Sequence, residues 1–454
     1  MRLVSARRLV PMCILSAASV AALVAPGAAS AELGTQCSGV NITGQGSSFQ
    51  KLAEQTVWAP GFNTSTKSKA ACTGTQGSKG KPEVKYSSTG SGAGLESWGV
   101  NKHAVDFSAS NAFAATDEAP DASQKAEIES NETKLIPETL ATIPVAQGAD
   151  VVIVNLPANC LATSKKNKGR LELNNVTLEG IFRGTVTKWS QIKEDGDTLS
   201  GAGCNPESTI KVAVRKDQSG TTHIFKRYLG LISGGSFTDE KEESKTWNQV
   251  AEGPASTDWP KAANVAKPEG TGNGALAALV AATPGTIGYN DLATARGNGS
   301  FTPSPGTGGP NTAKFWVPIQ NNGLSTEKPK YQDPSSNKDV AATANANCKN
   351  IEYTNGEVAF PPASVLEEWN AVTTRTTQKK YPICGLTFNL ALTSFSAYPG
   401  ATLGSATTAH DYLKFVVDSK AGGGQKLIEG HDYLSLPKGP VLSEAQKGAE
   451  KVGF

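Results

Sequence analysis

Residues Arg215 to Thr222 read RKDQSGTT, and this short stretch decides how the rest of the chain is understood. On its left, Ile210 to Val214 (IKVAV) is mostly apolar and β-branched, the composition of a buried strand. On its right, HIFKRYLG sets Ile224, Phe225, Tyr228 and Leu229 on one helical face. A strand thus runs through a tight glycine turn into the first turn of a helix. The first amides of a helix lack intrahelical partners, and the helix dipole adds partial positive charge there. Ser219 and Thr221 contribute hydroxyls and Arg215 a fixed positive charge, a set that suits a tetrahedral oxyanion. An ordinary N-cap at Ser219 beside a surface arginine would use the same residues, so this stretch alone leaves both readings open.

Outward from it, the same unit recurs. In Ile42 to Trp58 (ITGQGSSFQKLAEQTVW) a short strand enters a glycine turn over Thr43 to Gly46. Ser47 can cap a helix that carries Leu52, Ala53 and Val57 inward and exposes the amides of Ser48 and Phe49. In Val84 to Gly99 (VKYSSTGSGAGLESWG) a strand leads to Gly90, Gly92 and Gly94, where the backbone can approach a ligand closely with Ser91 among them. No lysine follows these glycines at the spacing a P-loop requires, and the pattern fits neither a P-loop nor a dinucleotide fingerprint. Val105 to Phe113 (VDFSASNAF) reads as a strand with Ser110 and Asn111 at its carboxyl end, where ligands sit in open α/β sheets. Gly270 to Ala295 supplies another glycine turn, a small-residue helix and a strand through Ile287 and Tyr289.

Ile143 to Pro157 is an extended apolar run, longer than a typical strand, and could pass between two domains. Leu173 to Ile192 presents a helical face of Val176, Leu178, Ile181 and Phe182. Tyr381 to Phe395 is further extended chain, and a late amphipathic helix carries Tyr412, Leu413, Val416 and Val417.

The amino terminus reads as a secretory signal peptide over residues 1–31. Arg2, Arg7 and Arg8 precede an apolar alanine-rich run, and Ala29-Ser30-Ala31 makes a cleavage site. Neither Cys13 nor Cys37 lies in a lipobox, so a soluble exported protein, secreted or periplasmic, is expected rather than a lipid-anchored one. What remains is about 423 residues, the 454 of the chain less the leader, which is too long for one ordinary core and predicts two domains. The formal charge of +2 falls below zero once three arginines leave, so no basic surplus points to nucleic acid. Of seven cysteines six stay, an even number that reads as disulfides in an exported chain. No C-x-x-C occurs and the four histidines are scattered, so no metal or redox cofactor is expected.

In order and spacing, TGQGSSF, STGSGAG, VDFSASNA, TLEGIFRGTVTKW, RKDQSGT and PGTIGYNDLA together resemble the phosphate-binding proteins of phosphate ABC importers, from about Gly39 to near the carboxyl terminus. The resemblance implies a two-domain α/β clamshell of the type II periplasmic-binding-protein kind, with an anion in the interdomain cleft. It implies that Ser48, Phe49, Ser91, Arg215, Ser219, Gly220 and Thr221 contact inorganic phosphate, with Asp217 orienting Arg215. Asn111 is expected where the family usually has an aspartate that accepts the proton of bound phosphate, and phosphate-over-sulfate selectivity is expected to relax accordingly. The domains are expected as 32–148 and 297–454 for the first, the latter with a polar loop insertion, and 149–296 for the second. That division places only Cys160 and Cys204 in the second domain, so these pair. Among three connectivities for the other four, the nearest-neighbour choice is Cys37 with Cys72 and Cys348 with Cys384. A membrane permease is the implied partner, and a monomer is expected.

Other functions are weaker fits. A sensor for sulfate or molybdate would use the same donors. An enzyme needs a nucleophile with a base, but no G-x-S-x-G elbow occurs. A phosphatase would need an Asp/His cluster that no motif displays. His223 falls in the first turn of the helix after Ser219 and reads more simply as a packed residue.

Overall fold

The computed structural model describes residues 32–74, 80–102, 109–130, 140–162, 171–194, 197–263, 268–303, 313–321, 330–336, 344–348, 353–354, 369, 373–374, 380–397 and 400–454. The leader at 1–31 and residues 103–108 lie outside them, and the polar stretch 297–350 is only partly covered.

The first lobe opens with β1 (Ile42–Gly46) and β2 (Val84–Ser88), paired in parallel. A short helix, α1 (Ser91–Glu96), follows β2. Next, β3 (Phe113–Thr116) lies parallel to β1 on its other side. The strand therefore begins at Phe113, where the expectation ended it, and Asn111 precedes rather than closes it. Small residues explain the shift: Phe113-Ala-Ala-Thr116 is fully buried between neighbours, so it carries no in–out alternation.

β4 (Leu140–Asn155) is the spine of the molecule. Its 16 residues are all buried, as a near-continuous apolar run flanked on both edges must be. Its residues up to Ala146 pack in one hydrophobic core and those from Ala149 in the other. The second lobe adds β5 (Lys211–Val212), β6 (Val214–Arg215), α2 (Gly220–Ile232), β7 (Glu269–Gly270), α3 (Gly272–Ala282), β8 (Thr286–Asp291) and β9 (Lys314–Val317). The carboxyl half of β4 pairs antiparallel with β8 and β9. The chain then returns through β10 (Cys384–Leu392), which pairs with the amino half of β4 and with β3. Helices α4 (Leu403–Val416) and α5 (Pro440–Lys451) close the first lobe.

Two hydrophobic cores result. One joins Ile42 through Ala146 to Leu386 through Val452, and the other runs from Ala149 to Cys384. Phe301, Phe315, Trp316, Val317, Ile319 and Cys348 pack in the second core, although Trp369 packs in the first. The described part of the stretch 297–348 thus contributes to the second core rather than the first, and Leu386 through Leu392 of β10 pack in the first core again. The polar composition after Gly297 looks like an insertion, but the brief apolar run at Phe315–Val317 registers against β4.

Disulfides join Cys37–Cys72, Cys160–Cys204 and Cys348–Cys384. The pairing is the nearest-neighbour one, but Cys348 and Cys384 lie in the second core, not the first. Loops of 35, 44 and 36 residues correspond to roughly 3–4 kcal/mol each from restriction of the unfolded chain.

Helix α2 forms because Ser219 caps it, accepting from Thr222 N at 3.2 Å, and because Phe225, Tyr228, Leu229 and Ile232 share an inward face. Phe225 stacks on Tyr289 of β8 with centroids 4.7 Å apart, which fixes the helix against the sheet. Lys226 is buried too. Its Nζ donates to the carbonyls of Val250, Ser256 and Asp258 and sits 4.1 Å from the Trp259 ring centroid, so its charge is fully solvated by protein. Val176, expected to face inward, is 76% exposed, while Leu178, Ile181 and Phe182 of its helix are buried.

Candidate functional site: an anion cleft between the lobes

Arg215 ends β6 and is 1% exposed. Its Nε donates to Asp217 Oδ1 at 2.7 Å and its Nη2 to Asp217 Oδ2, a bidentate pair that fixes the guanidinium plane. Gly90 lies beside this pair at φ 102°, a left-handed conformation that suits glycine. A Cβ there would stand 3.1 Å from Asp217 Oδ2 and 3.7 Å from Arg215 Nη2.

The remaining edge of the guanidinium reaches both lobes. Nη1 donates to Asn273 Oδ1 in the first turn of α3 and to Ser48 Oγ at 3.4 Å. Ser48 Oγ also accepts Asn273 N at 3.1 Å. Asn273 Nδ2 donates to Thr221 Oγ1 at 3.0 Å and to Asp291 Oδ2 at 2.7 Å. Asn273 is therefore the hub that ties Arg215, Ser48 and Thr221 together. Thr222 Oγ1 bonds Tyr289 Oη at 2.6 Å, and Tyr289 Oη accepts Arg215 N at 3.2 Å.

Facing this set from the first lobe is Asp117, the residue that follows β3. Its Oδ1 accepts from Ser47 Oγ and Thr387 Oγ1, both at 2.6 Å. Its Oδ2 accepts from Ser91 Oγ at 3.3 Å. Gly220, the first residue of α2, abuts it so closely that a Cβ would meet Asp117 Cβ at 2.7 Å. Gly92 N donates to Gln218 O at 3.3 Å, and a Cβ on Gly92 would meet Gln218 Cβ at 2.6 Å. Glycines on both lip segments thus let the two lobes close to backbone contact.

Of the sequence-predicted residues, Ser48, Ser91, Arg215, Asp217, Gly220 and Thr221 come together here. Ser219 sits at the edge as the N-cap, with its own N–H donating to Ser256 Oγ at 3.3 Å. Phe49 places its amide beside the cleft, where it donates to Ser47 Oγ at 3.0 Å, while its ring packs on Gly148. Asn111 does not join them. It lies before β3, at the opposite end of that strand from Asp117, and accepts from Gln45 Nε2 at 3.2 Å. Six residues of extended chain separate the two positions by up to about 20 Å. The carboxylate at the strand's carboxyl end is Asp117, and Asn111 stands at the other end, away from the Arg215 cluster. Asn273 and Asp117 were both missed. For Asp117 the usable signal is the acidic pair Asp117-Glu118 straight after a run of small buried residues.

Burial governs the electrostatics. It pushes the Asp117 carboxyl up, opposed by hydrogen bonds from Ser47, Thr387 and Ser91 and by the Arg215 charge. Burial likewise raises Asp291 to about 7, against hydrogen bonds from Thr294 and Asn273. It also lowers His223 to about 4, leaving a neutral imidazole at neutral pH. His223 Nδ1 lies 3.5 Å from Glu252 and 3.9 Å from Glu118, so the histidine expected to be isolated has two acidic neighbours.

Two α/β lobes on a shared spine, closed over one buried arginine and one buried carboxylate, define a clamshell solute-binding protein of the type II kind. The PBP superfamily domain profile matches residues 29–351, and the chain belongs to that superfamily. A phosphate-binding protein PstS of Xylella fastidiosa is 29% identical over 338 residues, covering 72% of this chain and 70% of the relative. The protein of the same name from Xylella fastidiosa strain Temecula1 is 28% identical over 410 residues, 88% of this chain and 83% of the relative. Among solved structures, the phosphate-binding protein from Stenotrophomonas maltophilia shares the fold with a TM-score of 0.53 at 18% identity, covering 90% of this chain and 93% of that one. Among the described residues no helix is long and apolar enough to cross a membrane.

Proposed function

We propose that the protein captures inorganic phosphate in the interlobe cleft and delivers it, after export, to the membrane permease of an ABC importer. The observation that carries this reading is the pairing of an oriented cation, Arg215, with a buried carboxylate, Asp117, across one cleft. Hydrogen phosphate both accepts and donates hydrogen bonds, so it needs donors and one acceptor. Arg215, the hydroxyls of Ser48, Ser91 and Thr221, and the first amides of α2 are donors; Asp117 is the acceptor. A doubly charged anion sheds its water at acceptable cost only when such donors replace the hydration shell. Closure then presents the permease with a shape that the open form lacks. The names of the curated relatives, each a phosphate-binding protein, support the same ligand.

The second reading is a binding protein for another tetrahedral oxyanion, sulfate or molybdate. Calorimetry of purified protein with the three anions separates the two. Phosphate at least tenfold tighter than sulfate is expected, and equal or reversed affinities overturn the phosphate reading. A hydrolase is disfavoured by the surroundings of His223, whose ring faces Glu118 and Glu252 rather than a cleft hydroxyl. Release of product from a synthetic phosphate ester at a saturable rate would reverse that judgement.

A further inference from the structure

We propose that Glu118, His223 and Glu252 form a binding site for a divalent transition-metal ion of the Zn²⁺ class, built across the boundary between the lobes. Glu118 belongs to the first lobe, two residues past β3. His223 lies in the first turn of α2, and Glu252 precedes the short helical turn Gly253–Thr257 in the second lobe. One donor atom from each lies within 4.8 Å of the others. His223 Nδ1 is 3.5 Å from Glu252 Oε2 and 3.9 Å from Glu118 Oε1. Ligand atoms about 2.0–2.1 Å from a tetrahedral ion stand roughly 3.4 Å from one another. Donors within 4.8 Å of one another reach that spacing by closing inward around an ion.

A second observation points the same way. The Glu118 side chain is fully buried; its Oε1 accepts Gly253 N at 2.6 Å, but its Oε2 has no hydrogen-bond partner. His223 Nδ1 is likewise buried without a hydrogen bond, while the ring bonds the backbone of Ala251. Buried polar atoms are nearly always satisfied, and a buried His223 Nδ1 that faces two carboxylates without a hydrogen bond is what a bound cation would explain. The backbone bond to the imidazole is the kind of support that orients metal-binding histidines. Arg227 Nε lies 3.3 Å from Glu252 Oε1, which turns the other oxygen of that carboxylate toward His223. One imidazole and two carboxylates suit Zn²⁺ or its analogues, whereas Mg²⁺ prefers an octahedron of oxygens that keeps several waters.

Because the ligands come from both lobes, the ion would bind only the closed form. It would then favour phosphate capture by the same free energy with which phosphate favours the ion, a linkage that rests on the phosphate reading above. The test uses purified protein without a histidine tag, stripped with chelator, in phosphate-free buffer. One equivalent of Zn²⁺ should raise Tm, Co²⁺ should give a visible absorption band, and Mg²⁺ should do neither. Glu118→Gln and His223→Gln should each weaken Zn²⁺ and Co²⁺ binding more than tenfold, and a phosphate titration in metal-free buffer checks that both variants are folded. Should either fail to fold, Glu252→Gln, at a partly exposed position, supplies the same comparison. Zn²⁺ should also tighten phosphate binding by about fivefold or more in the parent. A parent that responds to neither Zn²⁺ nor Co²⁺, or folded variants that respond as the parent does, overturns the site. Loss of phosphate binding with the metal responses intact would sink the phosphate reading and leave the metal site standing.

Discussion

Ser48 Oγ accepts the backbone N–H of Asn273 at 3.1 Å, so a serine of the first lobe caps the opening turn of α3 in the second. The same asparagine holds Arg215 Nη1 and donates to Thr221 Oγ1. Closure of the lobes and orientation of the arginine are therefore one event, organised by a residue that need not touch the anion.

Asn273→Ala removes the support of Arg215 and Thr221 while leaving the backbone N–H for Ser48. Loss of a buried hydrogen-bond hub costs about 1–3 kcal/mol. Phosphate affinity should fall roughly 5- to 150-fold by calorimetry. A parent-like Kd would show that Asp217 alone orients the guanidinium.

Arg215→Ala should be more severe. It strands a desolvated anion without its cation, and broken buried charge pairs cost about 3–5 kcal/mol. Asp217→Asn keeps one acceptor for the guanidinium and should cost less. The order of the two Kd values is the measurement, and a larger loss in Asp217→Asn than in Arg215→Ala would contradict the roles assigned.

Gly92→Ala tests closure apart from ligand contact. The new Cβ would meet Gln218 Cβ at 2.6 Å only when the lobes are shut. The variant should melt like the parent without phosphate, bind phosphate more weakly, and show less compaction on phosphate addition by small-angle scattering. Full compaction would mean that the lips do not approach as closely as the hydrogen bond from Gly92 N to Gln218 O implies.

Glu54 offers a pH test. It is fully buried beside Tyr412 and Asn389, and burial raises its carboxyl to about 7 from 4.5. The folded state then holds a proton that the unfolded state has already lost. Its contribution to stability is present below about pH 4.5 and falls away as pH rises toward 7. Glu54→Gln lacks this loss. Its stability relative to the parent should improve between pH 5 and pH 8 by on the order of 3 kcal/mol, read by urea unfolding. A difference that stays flat across that range would remove Glu54 as the source.

Much of this site is legible in local sequence. RKDQSGTT announces strand, turn and helix because β-branched residues, a glycine and an inward apolar face follow within a dozen positions. The bidentate Arg215–Asp217 pair is local too, two residues apart. Asn273 is not legible, since its partners Ser48, Arg215 and Thr221 are distant in the chain and meet only through the fold. Glu118 and His223 meet in the same way, which is why scattered histidines hid a cluster. The return crossing at β10 is hidden by a different cause. Phe315-Trp-Val317 is too short to show a period, and only its register on β4 assigns it to the second lobe.

Under the phosphate proposal, the position of the strand end decides which residue would discriminate phosphate from sulfate. Asp117 Oδ1 is saturated by the hydroxyls of Ser47 and Thr387, so Oδ2, with only the 3.3 Å contact to Ser91, is the oxygen left to accept a P–OH hydrogen. Sulfate has no hydrogen at neutral pH and would meet only negative charge there. Asp117→Asn exchanges that oxygen for a group that can turn and donate. The unsatisfied buried polar group that sulfate suffers in the parent costs about 1–3 kcal/mol, so the ratio of sulfate to phosphate Kd should drop roughly 5- to 150-fold in the variant. Asn111→Asp should leave the ratio unchanged, since that side chain bonds Gln45 at the far end of β3. Acid should act in the same direction as Asp117→Asn. Burial raises the Asp117 pKa, so the carboxylate takes its proton at a higher pH than an ordinary aspartate, and discrimination in the parent should decline as pH falls. Both ratios, measured by calorimetry at one neutral pH, decide the matter. A ratio that moves in Asn111→Asp and holds in Asp117→Asn would return the discriminating role to Asn111.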